Sequence, residues 1–281
     1  MHDAAARQRP CAVRRRAVAL SLTLLLAASP ASAERPLWEL GLGLGVLSLP
    51  HYRGSDQQHT WLLPTPYFVY RGDILRADRD GARARLLDTD RYDLDLSLAA
   101  TAPARSEDNL ARQGMPDLAP TIELGPNLNV LLGRGEGWRA QFRLPVRAAL
   151  TIESEPRSIG WLASPNLALD LRAHGWNIGV LGGPVFATRR YHGVYYDVDP
   201  VYATATRPTY RAGGGFGGWR LVTGVSRRVG DWWLGAFAAA DTVRAAAFEA
   251  SPLVRQREGL AFGLAFSYVF ATSSQQVKSE D

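Results

Sequence analysis

Serine, histidine and aspartate come close together once in this chain, where Ser55 and Asp56 lie between His51 and His59. Ester or amide hydrolysis would need a serine activated by a histidine, with a third group orienting that base. The same four residues are equally suited to a solvated loop, and the other histidines (His2, His174 and His192) are scattered. No enzyme activity is expected. No His/Asp/Glu spacing fits a metal site, and the one cysteine, Cys11, lies in the N-terminal leader described below. The run Gly213-Gly214-Gly215-Phe216-Gly217-Gly218 lacks the strand–turn–helix setting in which glycines cradle phosphate, so it reads as a flexible entry to a strand. No cofactor is expected.

The other chemistry-bearing residues are charges at regular positions. Arg139, Arg143 and Arg147 recur every fourth residue, about 13 Å apart along an extended strand. Asp93, Asp95, Glu123 and Asp170 occupy equivalent polar positions in other segments. Two readings apply: a charged lining that selects solutes, or an internal ion-pair and hydrogen-bond network that fills a narrow interior. The network is preferred. A third group, Arg190, Tyr191, His192, Tyr195 and Tyr196, belongs to an aromatic and basic stretch running from Arg189 to Arg211. Tyrosine and arginine suit a recognition surface, and they equally suit a long loop packed on itself; both readings stay open.

These residues need elements to hold them, and the elements declare themselves by alternation. Leu260, Phe262, Leu264, Phe266, Tyr268 and Phe270 alternate with small or polar residues. Trp138, Ala140, Phe142, Leu144, Val146 and Ala148 alternate with Arg139, Gln141, Arg143 and Arg147. Similar patterns cover Trp38–Val46, Trp61–Tyr70, Tyr92–Leu98, Ile122–Val130, Trp161–Arg172, Trp176–Thr188, Trp219–Val229 and Trp232–Thr242. A period of two with one apolar and one narrower, wetter face describes a strand between hydrocarbon and a polar lumen. Several strands begin with tryptophan, as at a membrane interface. Short connections at Gly133–Gly137, Ala173–Gly175 and Val229–Asp231 alternate with long ones at Pro50–Thr60, Thr101–Pro120, Arg189–Gly218 and Arg244–Arg257. The expected fold is therefore all-β, a transmembrane antiparallel outer-membrane β-barrel of ten strands, or twelve if both flanks of Asp80-Gly81 span.

The chain opens with Arg7, Arg9, Arg14, Arg15 and Arg16, then the apolar run Ala17–Ala28 and the small residues Ala31-Ser32-Ala33. This predicts a secretory signal over 1–33, too short to span as a helix. The barrel is expected over 34–270, with a polar periplasmic tail over 271–281. Removing 33 of the 281 residues leaves 248, and removing five Arg and one Asp takes the net charge from +5 to +1. The high isoelectric point thus gives no reason to expect nucleic acid as a partner. Lys278 is the sole lysine among 32 basic residues, a bias best explained by genomic base composition.

The stretch Gly41–Asp56 ends in Leu49-Pro50-His51-Tyr52-Arg53-Gly54-Ser55-Asp56, and Pro66-Tyr67-Phe68-Val69-Tyr70-Arg71-Gly72-Asp73 follows. With Gly114-Met115-Pro116-Asp117-Leu118, Thr121-Ile122-Glu123-Leu124-Gly125 and Ser251-Pro252-Leu253-Val254, the chain resembles the MipA/OmpV family of outer-membrane proteins. Pro50, Tyr52, Gly54, Ser55, Tyr70 and Gly72 are the residues that carry the motif. The chain has Tyr191-His192-Gly193-Val194 where that family tends to have Tyr-Tyr-Gly-Val, and it continues eleven residues past Phe270. The resemblance implies residence in the outer membrane, in contact with its lipid. It also implies a scaffold role, bringing a lytic transglycosylase together with a penicillin-binding protein for cell-wall growth. A narrow channel or uptake protein for solutes or antibiotics is the second expectation, and surface adhesion through the long loops the third.

Overall fold

A computed structural model of the chain describes residues 34–72, 75–78 and 81–278; the expected signal segment 1–33 and the last three residues of the tail lie outside the described residues. The barrel is built by residues 36–277. Its strands are β1 (Trp38–Pro50), β2 (Gln58–Arg71), β3 (Leu75–Asp78), β4 (Gly81–Asp88), β5 (Tyr92–Thr101), β6 (Thr121–Gly135), β7 (Trp138–Thr151), β8 (Ser158–Ala163), β9 (Asn166–Ala173), β10 (Trp176–Ala187), β11 (Gly215–Val229), β12 (Trp232–Thr242) and β13 (Glu258–Thr272). Each strand pairs antiparallel with its neighbour in sequence, except that β8 and β9 pair with β7 and β10 rather than with each other, and β13 returns to β1 with Phe266 opposite Leu44 and Tyr268 opposite Leu42. The result is a ring of antiparallel strands, whose ladders satisfy the backbone in hydrocarbon except along the stretch of β2 that, among the described residues, has a partner on one side only.

The alternation sorts as the sequence foretells. Leu42, Leu44, Leu264 and Phe266 are exposed on the outer face, while Ala261, Ser267 and Val269 between and beside them are buried. Trp138, Trp161, Trp176, Trp219 and Trp232 stand exposed at strand ends, and Trp232 stacks on Phe266 with centroids 4.5 Å apart. Such a belt of aromatics suits the headgroup region.

Three elements differ from the sequence expectation. The segment Trp161–Arg172 is two strands, because Ser164-Pro165 interrupts the ladder. Both β8 and β9 still pair with β7 on one side and β10 on the other, so they form one broken course. At the break the Pro165 carbonyl stands where a Cβ on Gly183 would be, 2.0 Å away, so β10 carries glycine there. Second, β11 starts at Gly215, so most of the glycine run is strand rather than a flexible entry. Third, Arg189–Tyr196 is a short helix, α1, capped by Thr188.

Counting β8 and β9 together, twelve courses form the ring among the described residues. Ten are long; β3 and β4, with four and eight residues, form a hairpin shorter than the ~9–11 residues of a spanning strand. That hairpin alone separates a count of ten from a count of twelve. It also explains how β2 tolerates two prolines. Pro64 and Pro66 are two residues apart, so both missing donors fall on one edge. Among the described residues β2 is paired with β1 along its whole length, but with β3 only at Tyr70 and Arg71.

The tight turns collect at one end and the long connections at the other. His174 and Gly175 both take positive φ (52° and 78°), the geometry of a two-residue hairpin that matches strand twist. The buried hydrophobic cluster of the molecule is made by the long connections: Tyr52, Leu118, Tyr196, Val198, Val243, Phe248 and Leu253 belong to four different loops or their helix. The barrel therefore has a roof with a core of its own.

Candidate functional site: a roofed lumen

The roof is built around α1. Thr188 Oγ1 accepts from the backbone N–H of Tyr191 at the helix N-terminus and from Trp161 N–H of β8 at 3.1 Å, which fastens the helix to the barrel rim. Gly160 makes room for this seat: its φ is +118° and a Cβ there would lie 2.3 Å from Thr188 Oγ1. Gly160→Ala is expected to destabilise the roof by about 1–3 kcal/mol through strain at that backbone, seen as faster amide exchange across residues 189–214 with the barrel amides unchanged.

Tyr196, 4% exposed, stacks on Phe248 at 3.6 Å between centroids and 6° between planes, and its hydroxyl donates to Arg53 O at 2.8 Å. Tyr52 donates to Leu253 O (2.8 Å), Ser251 to Tyr196 O (2.8 Å), and the buried Arg112 guanidinium to Tyr195 O and Pro116 O. One loop thus holds another by backbone acceptors, which are indifferent to side-chain identity. Burial pushes the Tyr52 phenol up to about 12, against the opposing pull of Arg112. Tyr191 and Tyr196 are likewise pushed well above the usual range by burial. The roof tyrosines stay neutral donors at any physiological pH.

His192 is 2% exposed, donates Nδ1–H to Gly213 O at 2.8 Å and meets the Phe248 ring edge-on at 4.7 Å. Burial lowers its pKa from 6.5; the Gly213 carbonyl opposes that shift and Arg53 adds to it. His51 is lowered too, by burial first and by His59 second. A histidine depressed in the folded state contributes stability present above the unfolded value of 6.5 and lost as the pH falls below it. The protection factors of the roof amides, which correct for the intrinsic pH dependence of exchange, should therefore fall between pH 7.5 and pH 5, and His192→Gln should flatten that dependence.

The serine cluster is structural in its contacts. Ser55 is fully buried, donates to Gln57 O (3.0 Å) and accepts from Asn109 Nδ2 (3.0 Å); the same nitrogen meets His51 Nδ1 at 3.0 Å. Asn109 thus stands between serine and histidine, where a triad requires a direct bond.

Beneath the roof the lumen is layered. At the outer level Asp241 of β12 takes Arg53 of the roof (2.8 Å) and Arg220 of β11 (3.5 Å), and Tyr191 reaches down to donate to Glu123 of β6 (3.1 Å). Arg147 donates to Ser97 at 3.0 Å. In the middle, Arg143 pairs with Asp170 at 3.2 Å and donates to Gln141, while Asn127 and Asn129 donate to Asp95, which is 1% exposed. At the inner level Glu39 of β1 holds Arg71 of β2 (2.7 Å) and Arg228 of β11 and accepts from Tyr67.

The expected lumen charges are thus brought into one interior with one distinction. Arg143, Arg147, Asp95 and Glu123 share the network, Asp170 joins it through Arg143, and Asp93 sits half-buried on β5. Arg139 is exposed at the inner end of β7, opposite Asp170 of β9 in the ladder, so the every-fourth-residue series runs from an exposed first member to two inside the lumen. Arg143→Ala removes the guanidinium that meets Asp170 and Gln141 and is expected to cost about 1.5–3 kcal/mol of stability, measured as a lower urea midpoint for loss of the heat-modifiable folded band. Arg53, Arg220, Asp241, Glu39, Arg71 and Arg228 were not singled out by sequence pattern. The signal was present for two of them: Glu39 and Asp241 are the sole acids on the inward faces of β1 and β12.

Among the expected loop residues, Tyr191, His192, Tyr195 and Tyr196 are drawn into the roof or lumen, and Arg190 is exposed. Of the motif residues, Pro50 ends β1, Tyr52 and Ser55 are buried in the roof, Gly54 turns there with φ +92°, and Tyr70 pairs with Trp38 at the inner end, next to the buried Gly72.

The model of the family described as MltA-interacting protein MipA matches residues 42–270, from β1 through the roof to the terminal aromatic of β13. This chain belongs to the MipA family. The matched residues take in the roof loops and most of the lumen charges, Glu39 lying just before them. No curated protein matches the chain. Among solved structures it is similar to an outer membrane channel from Pseudomonas putida F1 (13% identity, TM-score 0.40, covering 86% of this chain and 99% of that one). It is also similar to the CymD monoaromatic hydrocarbon channel (10%, 0.31, 87% and 69%) and to a Pseudomonas aeruginosa FadL homologue (8%, 0.32, 84% and 91%).

Proposed function

We propose that this MipA-family barrel is a closed, non-catalytic scaffold of the outer membrane, whose periplasmic turns hold a lytic transglycosylase and a penicillin-binding protein near the wall they remodel. The roof carries this reading. A diffusion pore needs an open mouth, whereas here a hydrophobic core, α1 and the Arg53–Asp241–Arg220 cluster lie across it. The family description, MltA-interacting protein, supports a protein partner, and the inner end offers it short, rigid turns at Glu136-Gly137, His174-Gly175 and Gly230-Asp231. Rigid turns on a barrel suit docking because little is lost in ordering them.

The test is capture from solubilised envelopes on the refolded barrel. Transglycosylase should be retained by the native protein and by a roof variant, and lost when the three turns are replaced together by Asn-Gly. Retention by the turn-replaced barrel would refute the assignment of the docking surface. Absence of both enzymes from every eluate would refute the scaffold reading. A second reading, a narrow channel, draws on the cavity that persists within the lumen. It requires conductance steps that change with Arg143 or Arg147.

A further inference from the structure

Between the roof and the Glu39 cluster the lumen encloses a cavity of about 560 Å³ with two unlike sides. One side is apolar: Leu47, Leu63, Leu181, Val222, Trp233 and Phe237 stand among glycines of β1, β10, β11, β12 and β13. The other presents Arg143 and Asp170. A pocket of this size, mostly apolar with few polar groups, has the make-up of a small-molecule site.

The polar side states what head group it takes. Arg143 Nη2 is committed to Asp170 and Gln141, so the guanidinium already has a carboxylate partner. Arg143 Nε is buried and has no hydrogen-bond partner among the described residues. A neutral oxygen there gains a charge-assisted hydrogen bond from Nε–H. A carboxylate or ammonium would instead bring an uncompensated charge into the interior.

The setting of the apolar side states where the ligand comes from. Leu63 faces the cavity from β2 and is 40% exposed; beside it Leu62 is exposed to the lipid face. Both lie in the stretch of β2 that has a ladder on one side only among the described residues. An apolar solute dissolved in the membrane meets the cavity wall at that stretch, away from the roof.

We infer that the lumen cavity binds an uncharged, largely apolar small molecule bearing one hydroxyl or carbonyl oxygen, with that oxygen at Arg143 Nε and its body against Trp233 and Phe237. The site goes beyond the scaffold reading and does not depend on it.

The test titrates 1-naphthol, neutral at pH 7, into the refolded full barrel in detergent, reading tryptophan emission, with 1-naphthoate as the anionic counterpart. Gly224 lines the cavity, and a Cβ on it would meet nothing nearer than Ala236 O at 3.8 Å, so Gly224→Leu fills the space without striking the backbone. Folding of each variant is checked by heat-modifiable mobility. Should Gly224→Leu fail that check, Ser226→Met fills the same space from the neighbouring inward position.

The expected result is saturable binding of 1-naphthol, at least ten-fold tighter than 1-naphthoate and weakened at least ten-fold by the filled cavity. Equal binding to the filled and native barrels would place the probe in the micelle and overturn the site. Tighter binding of 1-naphthoate would overturn the assignment of a neutral ligand. Neither result touches envelope capture, which tests the scaffold separately.

Discussion

Phe248→Ala should unroof the barrel while leaving its wall intact. Phe248 is 1% exposed, lies flat on Tyr196 and receives the edge of His192, so it joins the 243–257 connection to α1. Truncating a phenylalanine so placed costs about 3–5 kcal/mol. That loss falls on a unit with a small core of its own, while the ladders of the barrel are independent of it. The roof then opens as a local unit, well before the wall unfolds. Protease should cut within residues 189–214 of the variant and spare the native chain, and the heat-modifiable band should persist in both. Conductance should appear in the variant. Equal resistance to cleavage in the two proteins would show that Phe248 does not hold the roof.

Glu39→Leu should be the most damaging single change at the inner end. The Glu39 carboxylate is almost fully buried and serves two guanidiniums, Arg71 on β2 and Arg228 on β11, besides the Tyr67 hydroxyl. Removing it leaves two cations facing one another across the lumen, and breaking a buried pair of this kind costs about 3–5 kcal/mol. The measurement is the urea midpoint at unchanged slope. The double variant Glu39→Leu/Arg228→Leu should recover part of the loss, because it removes one of the two cations that Glu39 neutralises. A double variant no more stable than the single one would show that the arginines are not what Glu39 satisfies.

Much of the barrel is legible because its physics is local in sequence. Leu260 to Phe270 alternates, and the faces fall where the alternation puts them, since a strand of period two between hydrocarbon and a polar interior has one arrangement that avoids burying charge in lipid. The roof is legible only in part. The α1 sequence, Arg189-Arg190-Tyr191-His192-Gly193-Val194-Tyr195-Tyr196, has a glycine inside and no apolar periodicity, so nothing local announces a helix. It forms because Thr188 caps it and because Tyr196 and His192 find Phe248 some fifty residues away in another loop. Phe248 itself sits in Ala247-Phe248-Glu249-Ala250, a composition without pattern.

The site divides in the same way. Arg139, Arg143 and Arg147 are alike in sequence, and only the position along β7 separates the exposed one from the two inside. Pro165 breaks a strand that the alternation carries straight through. Pro64 and Pro66 do not break theirs, because β2 has an edge with little to pair. Whether a proline interrupts depends on what lies beside the strand, which the strand's own residues do not state.

The most direct test of a closed barrel is single-channel recording of the refolded protein, residues 34–281, in a planar bilayer, with correct folding shown on the same preparation by heat-modifiable mobility. The expected result is silence from the native barrel and discrete steps from Phe248→Ala. Reproducible steps from the native barrel, altered in ion selectivity by Arg143→Ala, would contradict the closed scaffold and establish a conducting lumen.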